Sequence, residues 1–191
     1  MKIAPFLKNT FLTVLCVYLC INTYAADVRV SLKTPKLVYR MGDDIDFRVS
    51  YENVSGRPLL LLPQAESYPV DVFSIRKIKG VRKAEVIRLG EQAVDFEGLS
   101  GKVVSLQPRD FVSRSIKAEI RSSLPAFYGD NRAGLFLVFP ASAVRLPGFG
   151  TYEIRANFHS SPNHPVNAYL KGRALWRGDV KSGSVILEIS E

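Results

Sequence analysis

The stretch MGDDIDFRVSYENVSGRPLLLL, residues 41–62, decides the fold class. Ile45, Phe47, Val49 and Tyr51 alternate with Asp46, Arg48 and Ser50. Successive side chains of a strand point to opposite faces, so this period of two is that of a half-buried β-strand. Met41-Gly42-Asp43-Asp44 is a turn leading in, and Asn53-Val54-Ser55-Gly56 a turn leading out. Pro58 to Pro63 then returns as a short, wholly apolar partner strand.

Outward from this hairpin the period stays at two. Val28, Val30 and Leu32 alternate until Pro35, and Leu37 to Tyr39 is a short second piece. Further strands are expected at about 69–78, 82–89, 102–107, 111–120, 134–139, 150–158 and 183–190. Turn signals separate them: Lys79-Gly80, the 90–101 loop, Gln107-Pro108-Arg109-Asp110 and Leu146-Pro147-Gly148. Two stretches, 121–133 and 159–182, lack a period and read as long loops. The expected fold is all-β, an antiparallel β-sandwich of about eight to ten strands.

The N-terminus has the organisation of a secretory signal. Lys2 and Lys8 are followed by the apolar run Phe11 to Ile21 and then by Asn22-Thr23-Tyr24-Ala25-Ala26, with small residues at the cleavage positions. This run of eleven residues, broken only by Thr13, is about half of what spans a bilayer. We therefore expect residues 1–25 to be removed, with no transmembrane anchor left, and 26–191 to form one exported domain, periplasmic or extracellular. Cys16 follows Leu15 and Cys20 follows Leu19, which does not suit a lipid-attachment signal. Both cysteines leave with the signal, so the core alone must hold the domain. Loss of Lys2 and Lys8 lowers the net charge from +8 to +6. A basic exported protein is drawn to an anionic envelope component or an acidic protein. No nucleic-acid motif is present.

Three segments carry a family resemblance. The 41–62 stretch is similar to the opening of bacterial Ig-like domains, where a Gly-Asp turn leads an alternating strand into an Asn-x-Ser hairpin. LQPRDFVSRSIKAEI, residues 106–120, resembles their edge turn and next strand, with Arg109 in place of the usual glycine. PGFGTYEIRANF (147–158) and LWRGDVKSGSVILEI (175–189) look like their last hairpin. The resemblance implies an Ig-like sandwich, a fold that hosts unrelated activities. The first half also bears a likeness to the bacterial intracellular proteinase inhibitor family, through the Asn-x-Ser turn and Tyr68-Pro69-Val70-Asp71-Val72-Phe73. Pro69 and Val70 interrupt that family's pattern, and the signal places this chain outside the cytoplasm.

Catalytic constellations are not evident. Gly98-Leu99-Ser100-Gly101 lacks the Gly-x-Ser-x-Gly spacing of a nucleophile elbow. His159 and His164 lack a third and fourth metal ligand nearby and read as exposed loop histidines. Asp43, Asp44 and Asp46 read as a solvated turn, and Asp95 with Glu97 as loop carboxylates. The basic group Arg76, Lys77, Lys79, Arg82, Lys83 and Arg88 reads either as an anion-facing patch or as a charged edge that resists aggregation. Arg177-Gly178-Asp179 matches an adhesion tripeptide, but Gly178 is better explained as a turn residue. Trp176, the single tryptophan, is either buried between sheets or an anchor for a partner.

These readings favour an exported, non-enzymatic binding or accessory module without cofactor or metal. Its partner would be an unidentified protein or an anionic envelope component. The expected surface is formed by the two long loops, with Tyr128, Tyr169 and Trp176 as anchors and Arg173 and Arg177 as charges. The alternative is a proteinase inhibitor acting through a protruding loop in 121–133.

Overall fold

The computed structural model describes residues 27–63, 72–79, 85–88 (backbone only), 102–124, 133–139, 142–160, 163 and 165–191. Two sheets pack face to face. The first has the order β1-β3-β8-β9-β10-β6: β1 (Val28–Lys33), β3 (Asp44–Asn53), β6 (Glu85–Arg88), β8 (Phe111–Ser123), β9 (Ala133–Phe139) and β10 (Ser142–Leu146). The second has the order β12-β11-β13-β2, with β5 also paired to β11: β2 (Val38–Arg40), β5 (Phe73–Lys77), β11 (Gly150–Ser160), β12 (Gly178–Lys181) and β13 (Val185–Ser190). A separate ribbon joins β4 (Leu59–Leu61) to β7 (Val104–Leu106).

Alternation puts Val28, Val30 and Leu32 of β1, Ile45, Phe47, Val49 and Tyr51 of β3, and Ile116, Ala118 and Ile120 of β8 on one inner face. Tyr152, Ile154, Ala156 and Phe158 of β11 meet them from the other sheet, with Leu187 and Ile189 of β13. Both inner faces belong to one continuous apolar core, as a sandwich requires. Among the described residues no helix is long and apolar enough to cross a membrane.

The expected sandwich is the observed one, cut more finely. There are thirteen strands among the described residues, where eight to ten are expected from the periodicity. Pro35 cannot donate to a ladder, and the chain breaks there: β1 stays in the first sheet and β2 crosses to the second. There β2 runs parallel to β13, with Val38 opposite Glu188, a departure from an all-antiparallel design. The strand β10 follows β9 as a further strand, and β12 falls inside a stretch expected to be loop. Of that 159–182 stretch, residues 159 and 160 complete β11, Pro165–Tyr169 form a short 3-10 turn, and 178–181 are β12. Of 121–133, residues 121–123 end β8 and 125–132 lie outside the described residues. Arg109, standing where the resembled domains carry glycine, has φ +71, in the left-handed region that glycine enters without strain.

Tyr152 supplies a pH test of the core. Its ring is buried on β11, its hydroxyl donates to the Gly148 carbonyl, and burial pushes its pKa up to about 12. A phenol held neutral in the folded state contributes stability below its unfolded value near 10, lost as pH rises through the folded value. Stability should therefore fall between about pH 10 and pH 12. In Tyr152→Phe that fall should be smaller than in the parent, measured by denaturant unfolding across the range. Equal slopes in the two proteins would show that Tyr152 does not titrate as its burial requires.

Candidate functional site

The site begins with the turn after β3. Asn53 is fully buried, and its amide nitrogen donates to the carbonyls of Arg57 (2.8 Å) and Leu106 (2.9 Å). Its side-chain oxygen accepts from the Ser55 amide at 2.9 Å and the Ser55 hydroxyl at 2.7 Å, an Asx turn. That turn sets Arg57 at the head of β4, where its guanidinium reaches Asp27 at 3.3 Å.

A second wall comes from the chain after β11. Val166 of the 3-10 turn packs with Leu62, Leu170 and Leu175 in a small cluster of their own, against Leu60 and Val103. The Asn167 side-chain oxygen accepts from the Leu175 amide at 2.9 Å, closing the loop between them. Next, the Trp176 amide donates to the Leu60 carbonyl at 2.8 Å and lays residues 173–177 alongside β4. One face of the indole stacks on buried Phe158, with ring centroids 5.4 Å apart and planes 12° from parallel. It also rests on Gly178, where a Cβ would come within 2.6 Å of the ring. Phe158 in turn meets Tyr51 edge-on at 4.9 Å, so an aromatic column ties the indole to the core.

Between these walls lies a cleft of about 580 Å³, lined by Asp27, Arg57, Pro58, Leu59, Leu60, Ser105 and residues 173–177. Three arginines, Arg57, Arg173 and Arg177, line it together with a single acidic residue, Asp27, whose carboxylate Arg57 already holds. Among the described residues Arg173 and Arg177 make no ion pair. Planar guanidiniums match carboxylate and phosphate oxygens two at a time. The cleft is thus a positive mouth over an apolar and aromatic floor, suited to an anionic group carried on an organic body.

Of the five residues expected to form the surface, the structure brings Arg173, Trp176 and Arg177 into this cleft. Tyr169 is 49% exposed but does not line it, and Tyr128 lies outside the described residues. Trp176 is neither fully buried between the sheets nor free on the surface: it is half-buried, one face against Phe158 and the remainder on the cleft. Arg57, Asp27 and Ser105 were not expected. The one local signal for Arg57 was its place between an Asn-x-Ser turn and an apolar strand.

Other sequence candidates fall away or change character. Arg76 pairs with Glu153 across β5 and β11 at 2.6 Å, and Arg155 holds the same carboxylate at 2.7 Å. Together these guanidiniums, Arg155 foremost, keep Glu153 below the usual carboxylate range. Lys77 turns its amine toward the Pro147 and Gly148 carbonyls. These two basic residues are therefore structural, while Arg82 and Lys83 lie outside the described residues. Asp43 is hydrogen-bonded to Lys36 at 2.7 Å and to the Arg40 amide at 2.8 Å, which lowers its pKa, and Asp46 accepts from Ser115. His159, expected on a loop, is on β11 and pairs with Asp179 at 2.5 Å, so the acid of the adhesion tripeptide is engaged. No group of three or more metal-ligating residues occurs among the described residues.

No family model matches this chain, and no curated protein does. Two solved structures resemble it: Escherichia coli alpha-2-macroglobulin from domain MG7 to the C-terminus, at 14% identity and a TM-score of 0.36, and Salmonella alpha-2-macroglobulin reacted with methylamine, at 17% and 0.34. The likeness covers 87% and 86% of this chain but only 17% and 7% of those chains. At these values it bears on neither ligand nor mechanism, and the cleft has to be read from its own chemistry.

Proposed function

We propose that this chain is an exported, non-enzymatic binding module that receives an anionic group of an envelope component in the cleft between β4 and residues 173–177. The observation supporting the reading is the convergence of Arg57, far off in sequence, with Arg173 and Arg177 on one cleft with one carboxylate among them. The signal-like first 25 residues and the basic net charge agree with it.

The test is calorimetric titration of the purified protein with inorganic pyrophosphate at low and high salt. Hydrogen bonds to charged groups contribute about 1.5–3 kcal/mol each. Arg57→Gln, Arg173→Gln and Arg177→Gln combined should therefore weaken binding at least about tenfold, the equivalent of 1.4 kcal/mol. A control with Arg29, Lys36 and Arg121 changed to Gln removes the same charge from residues paired elsewhere with Glu52, Asp43 and Glu119. Equal losses in the two triple variants would reduce the effect to overall charge and sink the assignment to the cleft.

A further inference from the structure

We propose that the anionic ligand is a phosphorylated saccharide, its phosphate held by the arginines and its ring laid against the Trp176 side of the cleft. The inference rests on the anion-binding reading above and asks what carries the anion.

Three features of the cleft argue for a ring. The first is size: about 580 Å³ falls within the roughly 300–1,000 Å³ of sites that enclose organic ligands, far more than a bare phosphate fills. The second is the placement of the indole. Phe158 stacks on the ring and Gly178 lies close against its Cζ2 and Cη2 atoms, so the indole is held in place, and the part of it left to the cleft is a rigid platform. Gly178 is part of this arrangement, because any side chain there would collide with the indole. The third is the polarity of the remaining wall. Exposed Ser105, Arg57 and Arg173 line the cleft together with the apolar residues Leu60 and Leu175. A sugar offers a C–H face to an aromatic platform and hydroxyls to such donors and acceptors at its edge. An acyl chain would leave the polar wall without partners, which is costly once water is displaced.

The single tryptophan of the chain is the one in this cleft, so intrinsic indole emission reports occupancy directly. The full processed protein is titrated with a hexose 1-phosphate, with methyl phosphate as a monoester of matched charge, and with the unphosphorylated hexose. Vesicles of phosphatidylcholine carrying either phosphatidylglycerol or a phosphorylated glycolipid complete the set. The hexose 1-phosphate should bind about tenfold or more tightly than methyl phosphate and change Trp176 emission. In Trp176→Leu, followed by calorimetry, the ratio of the two affinities should fall to about one. Gly178→Ala, whose methyl would meet the indole, should lower that ratio as well.

Parity between the two monoesters in the parent protein, with both bound, would overturn the saccharide and leave the anion-binding reading standing. Binding of neither, with pyrophosphate also unbound, would remove both. Capture by phosphatidylglycerol vesicles with no response to the hexose 1-phosphate would replace the saccharide with an anionic lipid surface. Tighter capture by the glycolipid vesicles than by the free hexose 1-phosphate would support the saccharide and identify its source as a membrane headgroup; the reverse order would support a free sugar phosphate.

Discussion

Phe47→Ala is expected to cost about 3–5 kcal/mol, the range for removing a buried phenyl ring from a close-packed core. Phe47 lies midway along β3 and is fully buried. Its ring meets Phe73 of β5 with centroids 4.8 Å apart and Phe139 of β9 at 6.4 Å, and Phe73 and Phe139 stack on each other at 5.9 Å. The three rings therefore join two strands of the first sheet to one of the second. A cavity opened here removes the ring contacts that bridge the two sheets. Domains of this size have about 5–15 kcal/mol in all, so the loss is a large fraction of the total. Phe111→Ala removes the same ring from a site 70% exposed at the start of β8 and should stay within about 0.5 kcal/mol. Urea unfolding of the parent and both variants measures this, with m unchanged as evidence that the unfolded reference is the same. A cost below about 1 kcal/mol for Phe47→Ala would mean the three rings do not hold the sheets together.

What the sequence disclosed followed from locality. Ile45, Phe47, Val49 and Tyr51 alternate without interruption, and all four are fully buried. The sandwich could be inferred because its principal strands carry that period themselves. By contrast, β12 reads Gly-Asp-Val-Lys, too short and polar to register as a strand, and it exists because β11 offers it an edge, with Phe158 opposite Val180. The crossing of β2 was equally hidden. Pro35 announces a break but not which sheet receives the next residues. The cleft is harder still, since Asp27, Arg57 and Ser105 meet 173–177 only through the pairing of β4 with β7 and the bond from Trp176 to Leu60. Aromatic and charged residues side by side marked Arg173, Trp176 and Arg177. The same criterion picked Tyr169, which the fold leaves outside, and it could not pick Arg57. Nor could it separate Arg76 from a free cation, because its partner Glu153 is 77 residues away.

Asn53→Asp is expected to cost about 3 kcal/mol or more at neutral pH and to weaken anion binding as well. The substitution keeps the shape of the side chain and changes only its hydrogen-bonding character. In the parent every polar group of Asn53 is matched: the amide nitrogen to Arg57 and Leu106, the oxygen to Ser55, the backbone N–H to Asp110 and the carbonyl to the Arg109 amide. A carboxylate has no donor to give. It would set negative oxygens against the Arg57 and Leu106 carbonyls in a site closed to water, losing two bonds and burying an opposed charge. Protonation restores one donor, so the folded variant should hold its proton more tightly than the unfolded chain. The stabilising contribution of that proton is present at low pH and lost as pH rises, and the deficit relative to the parent should shrink on acidification. Asn53→Ala, which loses those two bonds and the two accepted from Ser55 but adds no charge, should show a pH-independent deficit. Because the Asn53 amide anchors the Arg57 carbonyl, either variant should also loosen Arg57 and weaken pyrophosphate binding under conditions where the protein remains folded. A pH-independent deficit in Asn53→Asp would show that residue 53 is reached by water. Unchanged pyrophosphate binding in both would show that the turn does not position Arg57. If both effects appear, the Asn-x-Ser turn, which carries the chain from β3 not to a paired neighbour but to the separate β4–β7 ribbon, is also what aims one wall of the cleft.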